Sequence, residues 1–79
     1  MSDKREYGWV HVGTLATYYK DYRMTYESIV RIAFALEIPK RQIYGKPAIR
    51  VREWNLMAEK MGLPLVMNPA IILVATEEE

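Results

Sequence analysis

The chain has 79 residues, enough for one domain and one core. It has no cysteine and one histidine, His11, which excludes disulfides, thiolate chemistry and a multi-histidine metal cage, and its 51% hydrophobic, 27% charged composition is that of a globular protein. The net charge is only +1, but it is unevenly placed: Tyr18 to Arg52 holds eight bases and three acids, and Glu53 to Glu79 holds one base and five acids.

Tyr7 to Val12 is aromatic and β-branched and predicts a short strand. A short helix follows, about Thr14 to Lys20, with Leu15, Ala16 and Tyr19 on one face, and Asp21 to Met24 is a connector. Thr25 is a natural N-cap for a second helix, with Glu27 in the first turn where a negative charge suits the helix dipole. Ile29, Ile32, Ala33 and Leu36 recur at i, i+3, i+4 and i+7, a buried stripe that Val30 and Phe34 widen. Ser28, Arg31 and Ala35 fall on the opposite face, and Pro39 stops the helix, with Ile38 as its last residue. Ile43-Tyr44 and Ile49-Arg50-Val51 flank the turn chemistry of Gly45-Lys46-Pro47 and predict a hairpin, with Ile49 and Val51 facing in and Arg50 out. A third helix, about Arg52 to Met61, has Trp54, Met57, Ala58 and Met61 at helical spacing, and Gly62 and Pro64 end it. Ile71 to Ala75 predicts a strand in the most apolar part of the chain, and Glu77-Glu78-Glu79 is a frayed end.

These elements make a single domain, residues 1–79, with its core in 9–62 and an apolar extension over 63–76. The class is α+β: a small winged helix-turn-helix of about three helices, a β-hairpin wing and a C-terminal strand. The first six residues are charged with no long apolar run behind them, so no secretory signal is expected. The apolar tail is broken by Pro64, Asn68 and Pro69 and falls short of the ~20 residues of a membrane span. No membrane, metal or cofactor is expected, and the expected compartment is the cytoplasm of a prokaryotic or virus-infected cell.

The order of elements resembles the winged-helix group of phage excisionases, MerR-type DNA-binding domains and related phage DNA-packaging subunits. The resemblance lies in Leu15-Ala16 on the first helix, Thr25 to Arg31 as recognition helix, and Ile38-Pro39 after it. It continues through Ile43 to Val51 as wing and Glu53-Trp54 opening the next helix, and so spans roughly Val12 to Gly62. The connector from Lys20 to Met24 is longer than that family's tight turn, and the tail after Gly62 has no counterpart. The resemblance implies a recognition helix in the major groove and a wing on phosphates or the adjacent minor groove.

The residues expected at double-stranded DNA are Thr25, Tyr26, Glu27, Ser28 and Arg31 on the second helix. Those expected on and after the hairpin are Lys40, Arg41, Tyr44, Lys46, Arg50 and Arg52. Arg31 suits a guanine edge, with a surface pair to Glu27 as its alternative, and the basic hairpin suits phosphates. Tyr19, Trp54 and the helical methionines are expected in the core, and His11 in a structural role. No enzyme is expected: the serines are Ser2 and Ser28 alone, and Glu53 and Glu59 lie far apart around their helix. The function that follows is a sequence-specific DNA-binding protein, either a small transcriptional regulator or an excisionase-like recombination-directionality factor. The alternative is a non-enzymatic protein-binding module, such as a small phage-encoded inhibitor of a host protein. A core this small gains from self-association, and Ile71 to Ala75 is the expected homodimer contact, with pairing to Trp9–Val12 inside one chain as the other outcome.

Overall fold

The computed structural model of the chain describes residues 5–76, with side chains over residues 8–73. In order the elements are β1 (Arg5–His11), α1 (Val12–Tyr18), a 3₁₀ turn (Lys20–Tyr22), α2 (Tyr26–Ala35), β2 (Lys40–Ile43), β3 (Lys46–Arg50), α3 (Val51–Met61), a second 3₁₀ turn (Pro69–Ile71) and β4 (Leu73–Thr76). The strands form one antiparallel sheet in the order β2-β3-β1-β4. Two helices, a β-hairpin after the second, and a third helix leading out of the hairpin make a small α+β winged helix-turn-helix.

Strand periodicity explains the two faces of the sheet. Val10 and Ile49 are register partners and point toward the helices, where they join Leu15, Tyr19, Ile29 and Trp54 in the main core. Trp9, Ile43 and Ala48 form a second, smaller cluster with Leu73 packed against it. Both Ala48 and Ile49 are therefore buried, which a strand with one wet face would not allow. Val51 is buried as well, but as the first residue of α3 rather than the end of a strand.

The helix boundaries differ from the periodicity for reasons of capping. α1 starts two residues early because β1 feeds straight into it, and it ends at Tyr18, two residues before the 3₁₀ turn begins. α2 ends at Ala35, not Ile38, in a Schellman motif: Ile38 N–H donates to Ala33 O at 2.9 Å and Glu37 N–H to Phe34 O at 3.2 Å, with Glu37 in the left-handed region at φ 55°. Leu36 thus leaves the buried stripe and is exposed, as is Met61 at the last position of α3. Phe34 does not widen the stripe either; its ring is 65% exposed on the flank of α2 that faces the hairpin.

The tail is part of the fold. Val66 is buried in the main core. Asn55 clamps it from α3, accepting from Val66 N–H at 2.8 Å and donating to Val66 O at 3.1 Å. Tyr18 donates to Leu65 O at 2.7 Å and Tyr19 to Pro64 O. β4 starts at Leu73 rather than Ile71, because Asn68 and Pro69 open a 3₁₀ turn first. It pairs with β1 across a bulge at Gly8, whose φ of 83° re-aims the strand between Tyr7 and Trp9. The tail therefore pairs with β1 within the chain, and the outer edge of β4 is one edge of the sheet. The acidic Glu77-Glu78-Glu79, and the side chains of Val74 and Ala75 within the expected dimer contact, lie outside the described residues.

Candidate nucleic-acid interface

The N-terminus of α2 is built by its first four residues. Thr25 Oγ1 accepts from Ser28 N–H at 3.1 Å and Ser28 Oγ accepts from Thr25 N–H at 2.9 Å, a reciprocal capping box. Both hydroxyls are thereby committed to the cap, which makes Thr25 and Ser28 positioning groups for the residue between cap and helix. That residue is Tyr26, which opens α2 with its ring 47% exposed.

The hairpin tip is equally specific. Ile43 and Lys46 pair across a two-residue turn, Tyr44-Gly45, with φ of 55° and 73°. Positive φ at both central residues suits the right-handed twist of the strands. Gly45 adopts it freely, whereas Tyr44 is forced into it and stands 76% exposed at the tip. Pro47 sits before the part of β3 that pairs with β1, which begins at Ala48, so its missing N–H costs no bond on that side.

Tyr26, from the start of α2, and Lys46, from the hairpin, line one cleft of about 270 Å³. Its remaining walls are His11, Gly13, Thr14, Thr17 and Pro47. Thr14 and Thr17 stand three apart on α1, and their hydroxyls were not among the expected contacts; the signal for them was their place on the polar side of the Leu15 stripe. His11 holds the cleft together, with Nε2 2.8 Å from Ile43 O. The cleft thus joins an ammonium, a phenol and the Thr14 hydroxyl, each able to donate to an anionic oxygen, while the Thr17 hydroxyl donates to Gly13 O at 3.4 Å.

The other expected contacts scatter. Arg31 and Glu27 are highly exposed on the outer face of α2 and approach to 3.9 Å, a contact worth little in water. Lys40 is turned back, donating to Ile38 O at 2.8 Å and lying 4.5 Å from the Phe34 ring centroid, so it serves the end of α2. Arg41 and Arg50 lie over Trp9, at 5.8 and 5.0 Å from the ring centroid, and their stems roof the small cluster on the outer side of the sheet. Arg50 does face out of the main core, as the alternation predicts, but half-buried on tryptophan. Arg52 is exposed in the first turn of α3 and does not line the cleft.

No known protein family, characterised protein or solved structure matches this chain.

Among the described residues there is no group of three or more His, Asp or Glu side chains able to hold a metal ion, and no helix long and apolar enough to cross a membrane. What the cleft offers is hydrogen-bond donors and the ammonium of Lys46 beside the start of α2.

Proposed function

We propose that this protein binds duplex DNA sequence-specifically, as a small transcriptional regulator or an excisionase-like recombination-directionality factor. α2 enters the major groove, with Arg31 at a base edge and Tyr26 beside the backbone, while Lys46 and Tyr44 bring the hairpin to phosphates or the minor groove. The observation that supports this most is the shared cleft of Tyr26 and Lys46, which sets the start of α2 beside the hairpin as a winged helix needs. The weak Glu27 contact leaves Arg31 able to turn to a guanine. A palindromic site requires two copies at a fixed spacing, and the outer edge of β4 is one place for the second.

Fluorescence anisotropy with duplex DNA over a series of salt concentrations tests the reading. Lys46→Glu is expected to weaken binding to all sequences and to reduce the log–log salt slope by about 0.9 for the lost phosphate contact. Arg31→Ala is expected to relax discrimination at one base pair by ~1–3 kcal/mol while leaving non-specific binding nearly intact. Unchanged affinity and slope in Lys46→Glu would remove the hairpin from the interface.

A further inference from the structure

His11 lines the same cleft as Tyr26 and Lys46, and its two ring nitrogens have different duties. Nε2 lies 2.8 Å from Ile43 O, at the root of the hairpin turn. A carbonyl oxygen only accepts, so Nε2 carries a hydrogen in the neutral ring and in the charged ring alike. The neutral ring then has its lone pair on Nδ1, and protonation turns Nδ1 from an acceptor into a donor. His11 directly precedes α1, but its side chain makes no cap bond there. The character of Nδ1 therefore changes with pH, while the bond that pins β1 to the hairpin is kept in both states.

The surroundings suit a charged ring once an anion is present. Lys46 from β3 brings a second positive charge and Tyr26 from α2 a phenol, and among the described residues no carboxylate lines the cleft. The charged groups of the neighbouring strands, Lys40, Arg41 and Arg50, are held over Phe34 and Trp9. Glu27 lies with Arg31 on the outer face of α2. An imidazolium and an ammonium repel each other in an empty cleft, and an anionic oxygen shared between them offsets that repulsion. His11 is half-buried and Lys46 and Tyr26 are exposed, so one ligand reaches all three.

We infer that this cleft seats a phosphate of the duplex backbone with His11 in its charged form, so that binding DNA takes up a proton. The phosphate is shared by the Lys46 ammonium and the His11 Nδ1–H, with the Tyr26 and Thr14 hydroxyls as further donors. Such charge-assisted bonds are roughly twice as strong as neutral ones. The inference rests on the DNA-binding reading and adds to it a proton-linked contact at one side chain. By linkage, a ligand that favours the charged ring binds more tightly as pH falls, and once bound it holds the proton to higher pH.

Fluorescence anisotropy with a short duplex at low salt, between about pH 5.5 and 7.5, is the test. His11 is the only histidine of the chain, so an imidazole titration in this range belongs to it alone. The unaltered chain is expected to bind about fivefold more tightly at the lower pH. His11→Gln retains an N–H able to donate to Ile43 O but cannot take up a charge, and it is expected to lose that gain. The imidazole C2–H resonance of His11 in the unaltered chain gives a second reading that needs no variant. Its pH titration is expected to move to higher pH when duplex is added. Inorganic phosphate at the same phosphate concentration is expected to leave it in place, because a lone ion brings none of the other contacts of α2 and the hairpin. An equal pH dependence in His11→Gln and the parent, or a resonance whose titration ignores the duplex, overturns the inference while DNA binding itself stands. A titration moved as far by inorganic phosphate makes the cleft a site for free anions and overturns the duplex assignment. Failure to bind duplex at any pH overturns both readings.

Discussion

Tyr19 has no exposed surface, and its hydroxyl serves two partners: it accepts from Trp54 Nε1 at 3.0 Å and donates to Pro64 O. Tyr19→Phe leaves both partners unsatisfied in the interior and is expected to cost about 1–3 kcal/mol by urea denaturation. Burial pushes the Tyr19 phenol above its ordinary value of 10.0, and the Trp54 N–H offsets this only in part. Above about pH 10 the unfolded chain gives up this proton while the folded chain keeps it. Its contribution is therefore full below the unfolded pKa and declines as pH rises toward the folded one. Unfolding midpoints followed from neutral to strongly alkaline pH are expected to fall less steeply in Tyr19→Phe than in the parent. Tyr44 is the opposite kind of tyrosine, exposed and held at positive φ by the turn. Asparagine tolerates that conformation better, so Tyr44→Asn is expected to raise stability by about 0.5–1 kcal/mol. If the hairpin tip touches DNA, the same variant binds duplex more weakly. A gain in melting temperature with unchanged affinity would assign Tyr44 no part in binding.

At the level of elements, α2 is determined by its ends. Thr25 is legible in the chain as the N-cap, whereas Ser28's return bond in the capping box is not, because glutamate or glutamine is the usual residue at that place; Thr25→Ala is expected to cost about 1 kcal/mol. The other end is not legible, because its left-handed residue is Glu37 where glycine is the usual signal. Glu37→Gly removes that strain and is expected to stabilise the protein by about 1 kcal/mol, or about 4–8 °C in melting temperature. The apolar stripe of α2 was readable at Ile29 and Ala33, which are buried, but not at its margins. Phe34 and Leu36 share the pattern and lie outside the core, since periodicity gives a direction around the helix and not the extent of what packs there. The hairpin was readable from Gly45, whereas the stacking of Arg41 and Arg50 on Trp9 depends on a strand some thirty or more residues earlier in the chain.

Across the whole molecule, the segment after Gly62 is the least autonomous and the most necessary. It contributes Val66 to the core, satisfies the hydroxyls of Tyr18 and Tyr19 and the amide of Asn55, and covers the free edge of β1 with β4. A chain ending at residue 62 would strip those partners from a domain whose total stability is of the order of 5–15 kcal/mol. It is expected to lose cooperative thermal unfolding by circular dichroism. A sharp transition retained by the truncated chain would reduce the tail to decoration.

The sequence by itself determined the α+β class, the order of helix, capped helix, hairpin and helix, and the burial of Tyr19, Trp54 and Ile29. Each of these rests on contacts within a few residues: caps, turn residues and the 2.0 and 3.6 periods. Tertiary structure alone decided that β4 closes on β1, that Lys40 turns back on α2, and that Tyr26 meets Lys46 at one cleft. Those outcomes join positions distant in the chain, and a pairing between distant residues is set by the packing of whole elements, which no local pattern encodes.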